Sequence, residues 1–218
     1  MRAWVYLFFL FLVSSELCNG QDSNLNPGRR IEDFLRLAEQ GVAEAQFNLG
    51  ICYNSGLGVT KDYEEAVKWY RKAAEQGYAP AQFNLGICYN LGFGVTKNDK
   101  ETVKWYSKAA EQGFSQAQNN LGAHYDVTKD YEESVRWYRK AAVGGDAEAQ
   151  HLLADRYSLG KGVTKDYEEA VKWYRKAAEQ GFADAQFNLA VRYRDGKGVT
   201  KSYKEAYKWL VIASAQER

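Results

Sequence analysis

The chain has 218 residues, with 29 basic and 28 acidic side chains and a net charge of +1. That balance gives no electrostatic reason to expect nucleic acid or an anionic membrane as partner. Hydrophobic residues make up 45%, enough for a packed core and too many for a disordered chain.

The chain opens on "MRAWVYLFFLFLVSSELCNGQDSN": Arg2, an apolar run of 11 residues from Ala3 to Val13, then polar residues. A bilayer span takes about 20 residues, so the run fits the hydrophobic segment of a secretory signal peptide over residues 1–20. Cleavage after Gly20 removes Cys18 and starts the exported chain at Gln21. A lipoprotein needs small residues before its cysteine, and Glu16 and Leu17 stand there. The expected location is secreted or periplasmic, with the endoplasmic-reticulum lumen as alternative. No other run is long enough to span. Residues 21–29, with Asn26-Pro27-Gly28, read as linker.

Residues 30–41 ("RIEDFLRLAEQG") read as the second helix of an unpaired leading repeat. Five units follow, at 42–77, 78–113, 114–145, 146–181 and 182–218. The stretch "GVTKDYEEAVKWYRKAAEQG" stands identically at 58–77 and 162–181. The third unit drops four loop residues, "LGAHYDVTKD" against "LGICYNSGLGVTKD".

Each unit predicts two helices. In the first, "AEAQFNLGICYN" places Ala45, Leu49 and Tyr53 on one face with Gly50 beside them. A helical glycine costs about 1 kcal/mol against alanine, so Gly50 marks the close approach of a second helix; Ala154 and Ala190 stand there in units four and five. A GxG loop follows and reads as a turn. The second helix begins at a capping-box pattern, Asp62 with Glu65. The later units give Asn98 with Glu101, Asp130 with Glu133, Asp166 with Glu169, and Ser202 with Glu205. Glu64 and Lys68 are placed for an ion pair one turn apart. Ala66, Trp69, Tyr70, Ala73 and Ala74 form its apolar face, and Gly77 ends it. Gly41, Gly113, Gly144 or Gly145, and Gly181 do so elsewhere. Trp69, Trp105, Trp137, Trp173 and Trp209 keep the register. One helical pair cannot bury its apolar face alone, so the repetition is architectural.

L-G-x-x-Y in helix one and A-x-x-x-Y-x-x-A in helix two resemble the tetratricopeptide repeat. The period of 36 residues, the "GxGV" loop, "AxxWYxKAAEQG" and the "AEAQ" start resemble more specifically the Sel-one-like repeat (SLR) family, over about residues 30–218. The resemblance implies an all-α, right-handed α-α superhelix (solenoid) used as adaptor or scaffold, often exported in bacteria. Some cysteine-rich exported relatives have been linked to binding or hydrolysing β-lactams. This chain lacks their paired cysteines within each repeat.

Motifs for chemistry are thin. Ser158-Leu159-Gly160-Lys161 matches S-x-x-K, without K-T-G or S-D-N. The GxG loops lack the rest of a phosphate-binding fingerprint. His124 and His151 have no metal-ligand spacing around them. Sequence-adjacent glutamates such as Glu64-Glu65 point about 100° apart on a helix. Arg71-Lys72, Arg139-Lys140 and Arg175-Lys176 complement helix C-termini or form a stripe on the convex face. Cys52 and Cys88 occupy equivalent positions 36 residues apart. Stacked equivalents lie about 10 Å apart, beyond the roughly 7 Å a disulfide tolerates, so they read as small buried hydrophobes. No catalytic group, metal or cofactor is expected.

By the same resemblance the first helices line a concave groove. Its positions are Phe47, Asn48, Ile51 and Asn54; Phe83, Asn84, Ile87 and Asn90; Asn120; Asp155; and Phe187 with Asn188. Phe47/Ile51 and Phe83/Ile87 are i, i+4 pairs that make apolar shelves. The repeated asparagine suits bonding to an extended peptide, or to a neighbouring helix. The position of Cys52 and Cys88 becomes His124, Arg156 and Arg192, so a peptide with an apolar stretch and an acidic end would fit. The arginines could instead pair locally with Asp155 or Asp195. The last helix carries Val211-Ile212 where others carry Arg-Lys. That points to end-to-end self-association or docking through Tyr207, Val211 and Ile212, or to folding of these residues onto their own stack. The expected function is a non-catalytic, exported scaffold that binds a protein or peptide in its groove. The alternative is a hydrolase acting on β-lactams or cell-wall peptides.

Overall fold

The computed structural model describes residues 27–215. The signal peptide read over residues 1–20 and most of the linker read over 21–29 lie outside them. Eleven helices and no strand are found among the described residues. The chain divides into two compact units, one ending at Ala109 and the other beginning at Ala110.

The first unit holds α1 (Pro27–Glu39), α2 (Ala43–Ser55), α3 (Tyr63–Glu75), α4 (Ala79–Leu91) and α5 (Asp99–Glu111), the last two residues of α5 belonging to the second unit. α1 starts at Pro27, inside the stretch read as linker; a proline is suited to the first helical position, where its missing N–H has no partner to lose. The second helices α3 and α5 begin at the expected caps. Asp62 accepts from the N–H groups of Glu64 and Glu65 at 2.9 and 3.0 Å, and Asn98 from Lys100 and Glu101 at 3.0 and 3.2 Å.

The return half of the capping box is replaced. The cap's own N–H donates to a carbonyl of the preceding first helix, Asp62 to Tyr53 at 2.9 Å and Asn98 to Tyr89 at 3.0 Å. With that donor taken, Glu65 and Glu101 turn to the lysine three residues on, at 2.7 and 2.9 Å. The ion pair is therefore Glu65–Lys68 rather than Glu64–Lys68.

The first helix α2 has no single apolar face, since every residue from Ala45 to Cys52 is buried. Ala45 and Leu49 pack with Ala38 of α1 and Trp69 of α3. Phe47 and Ile51 pack with Tyr70 of α3 and Leu85 of α4. A helix enclosed on both sides is apolar all round. Gly50 is the point of closest approach: a Cβ there would lie 2.6 Å from the Tyr70 ring. The Gln46 amide donates to the Ala38 carbonyl at 3.0 Å, and Gln82 to Ala74 at 3.1 Å, so α1 stands to α2 as α3 stands to α4.

The second unit continues the pattern with α6 (Ser115–Val127), α7 (Tyr131–Val143), α8 (Ala147–Leu159), α9 (Tyr167–Glu179), α10 (Ala183–Asp195) and α11 (Tyr203–Ser214). Asp130, Asp166 and Ser202 cap the second helices. Gln118, Gln150 and Gln186 donate to the carbonyls of Ala110, Ala142 and Ala178 at 2.9, 3.1 and 3.0 Å. Of the two candidate stops after α7, Gly145 is the left-handed one, at φ 97°.

The GxG loop is more than a turn. Its first glycine ends the first helix in the left-handed region, as Gly160 does at φ 68°. Its second brings two backbones together: a Cβ on Gly162 would lie 2.0 Å from the carbonyl oxygen of Tyr131, and one on Gly198 the same distance from that of Tyr167. The shortened third loop has neither glycine, and Lys129 takes the left-handed conformation at φ 65°.

Candidate functional site

The first-helix face read as a groove is largely closed in the first unit. Phe47 is 6% exposed, its ring 5.4 Å from Tyr78 and 5.9 Å from Tyr70. Ile51 and Ile87 are buried with it, so the Phe47/Ile51 shelf is core rather than surface, and of the second shelf only Ile87 is core. The reason is the enclosure of α2 and α4 between flanking second helices. Asn48 and Asn84 are also buried, and Asn84 reaches the buried Tyr70 phenol, which burial pushes well above its ordinary value. Asn54, Phe83 and Asn90 are half-buried at the rim. In the second unit the face is more open: Asn120, Asp155 and Asn188 are half-buried, and Phe187 is 54% exposed. At the chain's far end, Tyr207 and Val211 are exposed and Ile212 is half-buried.

The second unit replaces these apolar contacts by a polar network. Asp126 near the end of α6 accepts from Ser134 Oγ, from the Tyr138 hydroxyl at 3.1 Å and from Arg156 of α8 at 2.6 Å. Arg156 thus turns to the preceding repeat rather than to Asp155. Asp155 accepts from the Tyr174 hydroxyl and lies 3.7 Å from His151 Nε2. Burial, then the Asp155 charge, raises the Tyr174 phenol. Arg194, not Arg192, pairs with Asp195 at 2.8 Å. Where the first unit covers Phe47 with Tyr78, the third repeat bonds Asn119 to Asp146 at 2.8 Å, and the fourth sets His151 5.3 Å from Phe182.

These residues converge on an edge formed by the start of one second helix and the next repeat's first helix and loop. In the first unit the edge carries one lysine, Lys61 over Tyr63 at 4.6 Å, and is otherwise apolar: Phe93 stacks on Tyr63 at 5.0 Å, near the buried Cys88 thiol. In the second unit it is cationic. Arg156 and Lys161 lie over the Tyr131 ring at 5.8 and 5.2 Å, and Arg192 and Lys197 over Tyr167 at 5.3 and 6.0 Å. Tyr167's phenol is held below its ordinary value, first by its hydrogen bond with Lys165 and then by the charges of Lys165, Lys197 and Arg192. The arrangement suits a carboxylate or another anion with an aromatic floor beneath it.

The other candidates take structural places. Ser158 stands in the last turn of α8, buried, its hydroxyl donating to the Asp155 carbonyl at 3.3 Å. The Lys161 ammonium lies instead on Tyr131. Cys52 and Cys88 are buried and not joined by a disulfide, and burial pushes the Cys88 thiol up to about 12. His124 sits edge-on to Tyr125. No group of residues suited to a metal ion occurs among the described residues, and no described helix is long and apolar enough to cross a membrane.

The basic helix ends have partners that sequence reading missed. Arg71, Arg139 and Arg175 donate to the hydroxyls of Tyr89, Tyr157 and Tyr193 of the next first helix at 2.8, 2.8 and 2.7 Å. Lys72, Lys140 and Lys176 lie over the tryptophans of their own helices, Trp69, Trp137 and Trp173. The constant spacing of 18 residues between each arginine and its tyrosine was the available signal. A shallow cleft of about 700 Å³ along α7 is lined by Val135, Arg136, Arg139, Lys140 and Val143, among others.

The family profile described as Sel1 repeat matches residues 43–78, 79–114, 115–146, 147–182 and 183–217. The crystal structure of a Sel1 repeat protein from Oxalobacter formigenes is 37% identical, with a TM-score of 0.80, over 95% of this chain and 82% of that one. The structure of c5321, a protective antigen of uropathogenic Escherichia coli strains displaying an SLR fold, is 34% identical, with a TM-score of 0.68, over 96% of this chain and 54% of that one. DAP3-binding cell death enhancer 1 of Rattus norvegicus is 38% identical over 53 residues, which span 24% of this chain and 10% of the rat protein.

Proposed function

Since the chain belongs to the Sel1-repeat family, whose members are in general protein-interaction scaffolds, we propose that it is an exported, non-catalytic scaffold that binds a peptide segment of a partner protein along its first-helix face. The observation that carries this reading is the change of one set of equivalent positions from Tyr63, Cys88 and Phe93 to Tyr131, Arg156, Lys161 and Tyr167, Arg192, Lys197. A repeat needs only its core to stand; it does not need the arginine and the loop lysine that the second unit adds at this edge. The accessible positions beside that edge are Asn120, Asp155, Phe187 and Asn188. They suit a segment with an apolar residue followed by acidic ones.

The test is capture with the full chain as bait, identification by mass spectrometry, and affinity measurement with Asn120→Ala/Asn188→Ala and Lys197→Glu variants. Binding should weaken at least tenfold with unchanged helicity. A partner that binds the variants as tightly as the wild type would overturn the assignment of the face.

Export is supported by Arg2 and the apolar run Ala3–Val13. The protein recovered from outside the cytoplasm should begin at or near Gln21; a chain retained inside the cell with residues 1–20 intact would refute it. End-to-end self-association through Tyr207, Val211 and Ile212 is supported by exposure. Tyr207 is 71% exposed, whereas its equivalent Val67 is 3% exposed.

A further inference from the structure

The Asp126 network has a counterpart one repeat later with its carboxylate missing. Asp126, Tyr138 and Arg156 correspond in the next repeat to Ser158, Tyr174 and Arg192. The tyrosine and the arginine persist, but the position of the acid holds a buried serine, whose hydroxyl is engaged with the Asp155 carbonyl at 3.3 Å. Arg192 lies over the rings of Tyr167 and Tyr174, at 5.3 and 5.7 Å. Its Nε is buried with no hydrogen-bond partner, as that of Arg156 is, but where Arg156 has the ion pair with Asp126, Arg192 has none among the described residues, and the nearby Asp195 pairs with Arg194 instead. A half-buried guanidinium without an ion-pair partner calls for a carboxylate or equivalent acceptors.

We propose that the junction of Ser158 and Arg192 is a carboxylate-binding site, in which an external carboxylate takes the place that Asp126 holds beside Arg156. The two acids nearby do not fill it. Asp155 accepts from Tyr174 and faces His151, and Asp195 is held by Arg194. Against them stand Arg192, Lys197 and Lys165, whose charges already draw the Tyr167 phenol down. The planar guanidinium of an arginine held against aromatic rings recognises a carboxylate by direction as well as by charge. The carboxylate comes from a peptide, as an Asp or Glu side chain or a chain end, or from a free small acid. The site rests on the scaffold reading only for the choice between those two sources.

The test follows the Arg192 Nε–H resonance of the full chain by NMR, assigned with an Arg192→Lys variant, during titration at constant ionic strength. The probes are acetate, N-acetyl-glutamate amide and, as the uncharged control, N-acetyl-glutamine amide. Both acids should move the resonance to saturation, leave Arg156 unmoved, and lose their effect in Ser158→Asp, which supplies the carboxylate internally. Should that variant fail to fold, the comparison of acid with amide on the wild type decides alone. An at least tenfold lower saturating concentration for the glutamate derivative than for acetate assigns the source to a peptide; equal concentrations assign it to a free acid. No movement of Arg192, or equal movement with the amide, overturns the site. Loss of all partner capture with the acid shifts intact would refute the scaffold reading and leave the site standing.

Discussion

At the scale of single residues, two glycines with left-handed backbones behave differently. Gly77 has φ 89° and open space where a methyl group would stand, so Gly77→Ala should cost about 1 kcal/mol from conformation alone. Gly162 has φ 73° and a Cβ there would meet the Tyr131 carbonyl, so Gly162→Ala should cost at least about 3 kcal/mol as loop and helix part. Chemical denaturation of the two variants checks the difference; equal costs would mean the loop yields freely. Cys88 makes a pH prediction. Its thiol ionises at 9.0 in the unfolded chain and at about 12 when folded. The unfolded state loses its proton first, so this contribution is complete below pH 9.0 and falls as pH rises from there towards about 12. The slope is about 1.4 kcal/mol per pH unit. Cys88→Ala should flatten the alkaline fall in stability between pH 9 and 10; an unchanged slope would place the titration elsewhere.

At the scale of helices, the caps were legible because an oxygen-bearing side chain before a tyrosine is a local signal. The replacement of the capping box was not, because the Tyr53 carbonyl that takes the Asp62 N–H comes from another helix. Asp62→Ala should cost about 1 kcal/mol. Glu65→Gln should cost a few tenths, since its partner is an exposed lysine and not the cap. If the two cost the same, the reciprocal box is formed in solution. The Asp126–Arg156 bond joins two first helices and is mostly shielded from water. Asp126→Ala strands a buried guanidinium and should cost about 3–5 kcal/mol, and adding Arg156→Met should recover part of it. Additive losses in that double-mutant cycle would dismiss the coupling. The pair itself escaped sequence reading: the nearest acid in the chain is Asp155, and the partner stands 30 residues earlier.

At the scale of the whole molecule, period and pattern sufficed for the repeat architecture, because every unit states the same packing in the same register. The groove was less legible. Which residues of a first helix remain open depends on how far flanking helices close over it, and Phe47 and Phe187 are the same letter with 6% and 54% exposure. Trp137 is a core residue of the second unit, with the Lys140 ammonium on its ring, and Trp137→Ala should cost about 3–5 kcal/mol in thermal melting. Self-association is measured by sedimentation of the wild type against Val211→Lys/Ile212→Lys. The wild type should grow with concentration and the variant stay monomeric; a wild type monomeric at high micromolar concentration would remove the end-to-end mode.

The glutamine that joins each first helix to the second helix before it gives assembly a direction. Gln82 closes the Ala74 carbonyl, and Gln150 that of Ala142, each from eight residues further along the chain. During synthesis the last turn of the newest second helix, whose carbonyl already accepts from the Gly77 or Gly145 N–H, therefore lacks its side-chain fastening until a little more of the chain emerges. Its fastening then needs only a short stretch of polypeptide, with no wait for a distant segment. The nascent protein can set turn by turn behind the ribosome, its one provisional end always the most recently made.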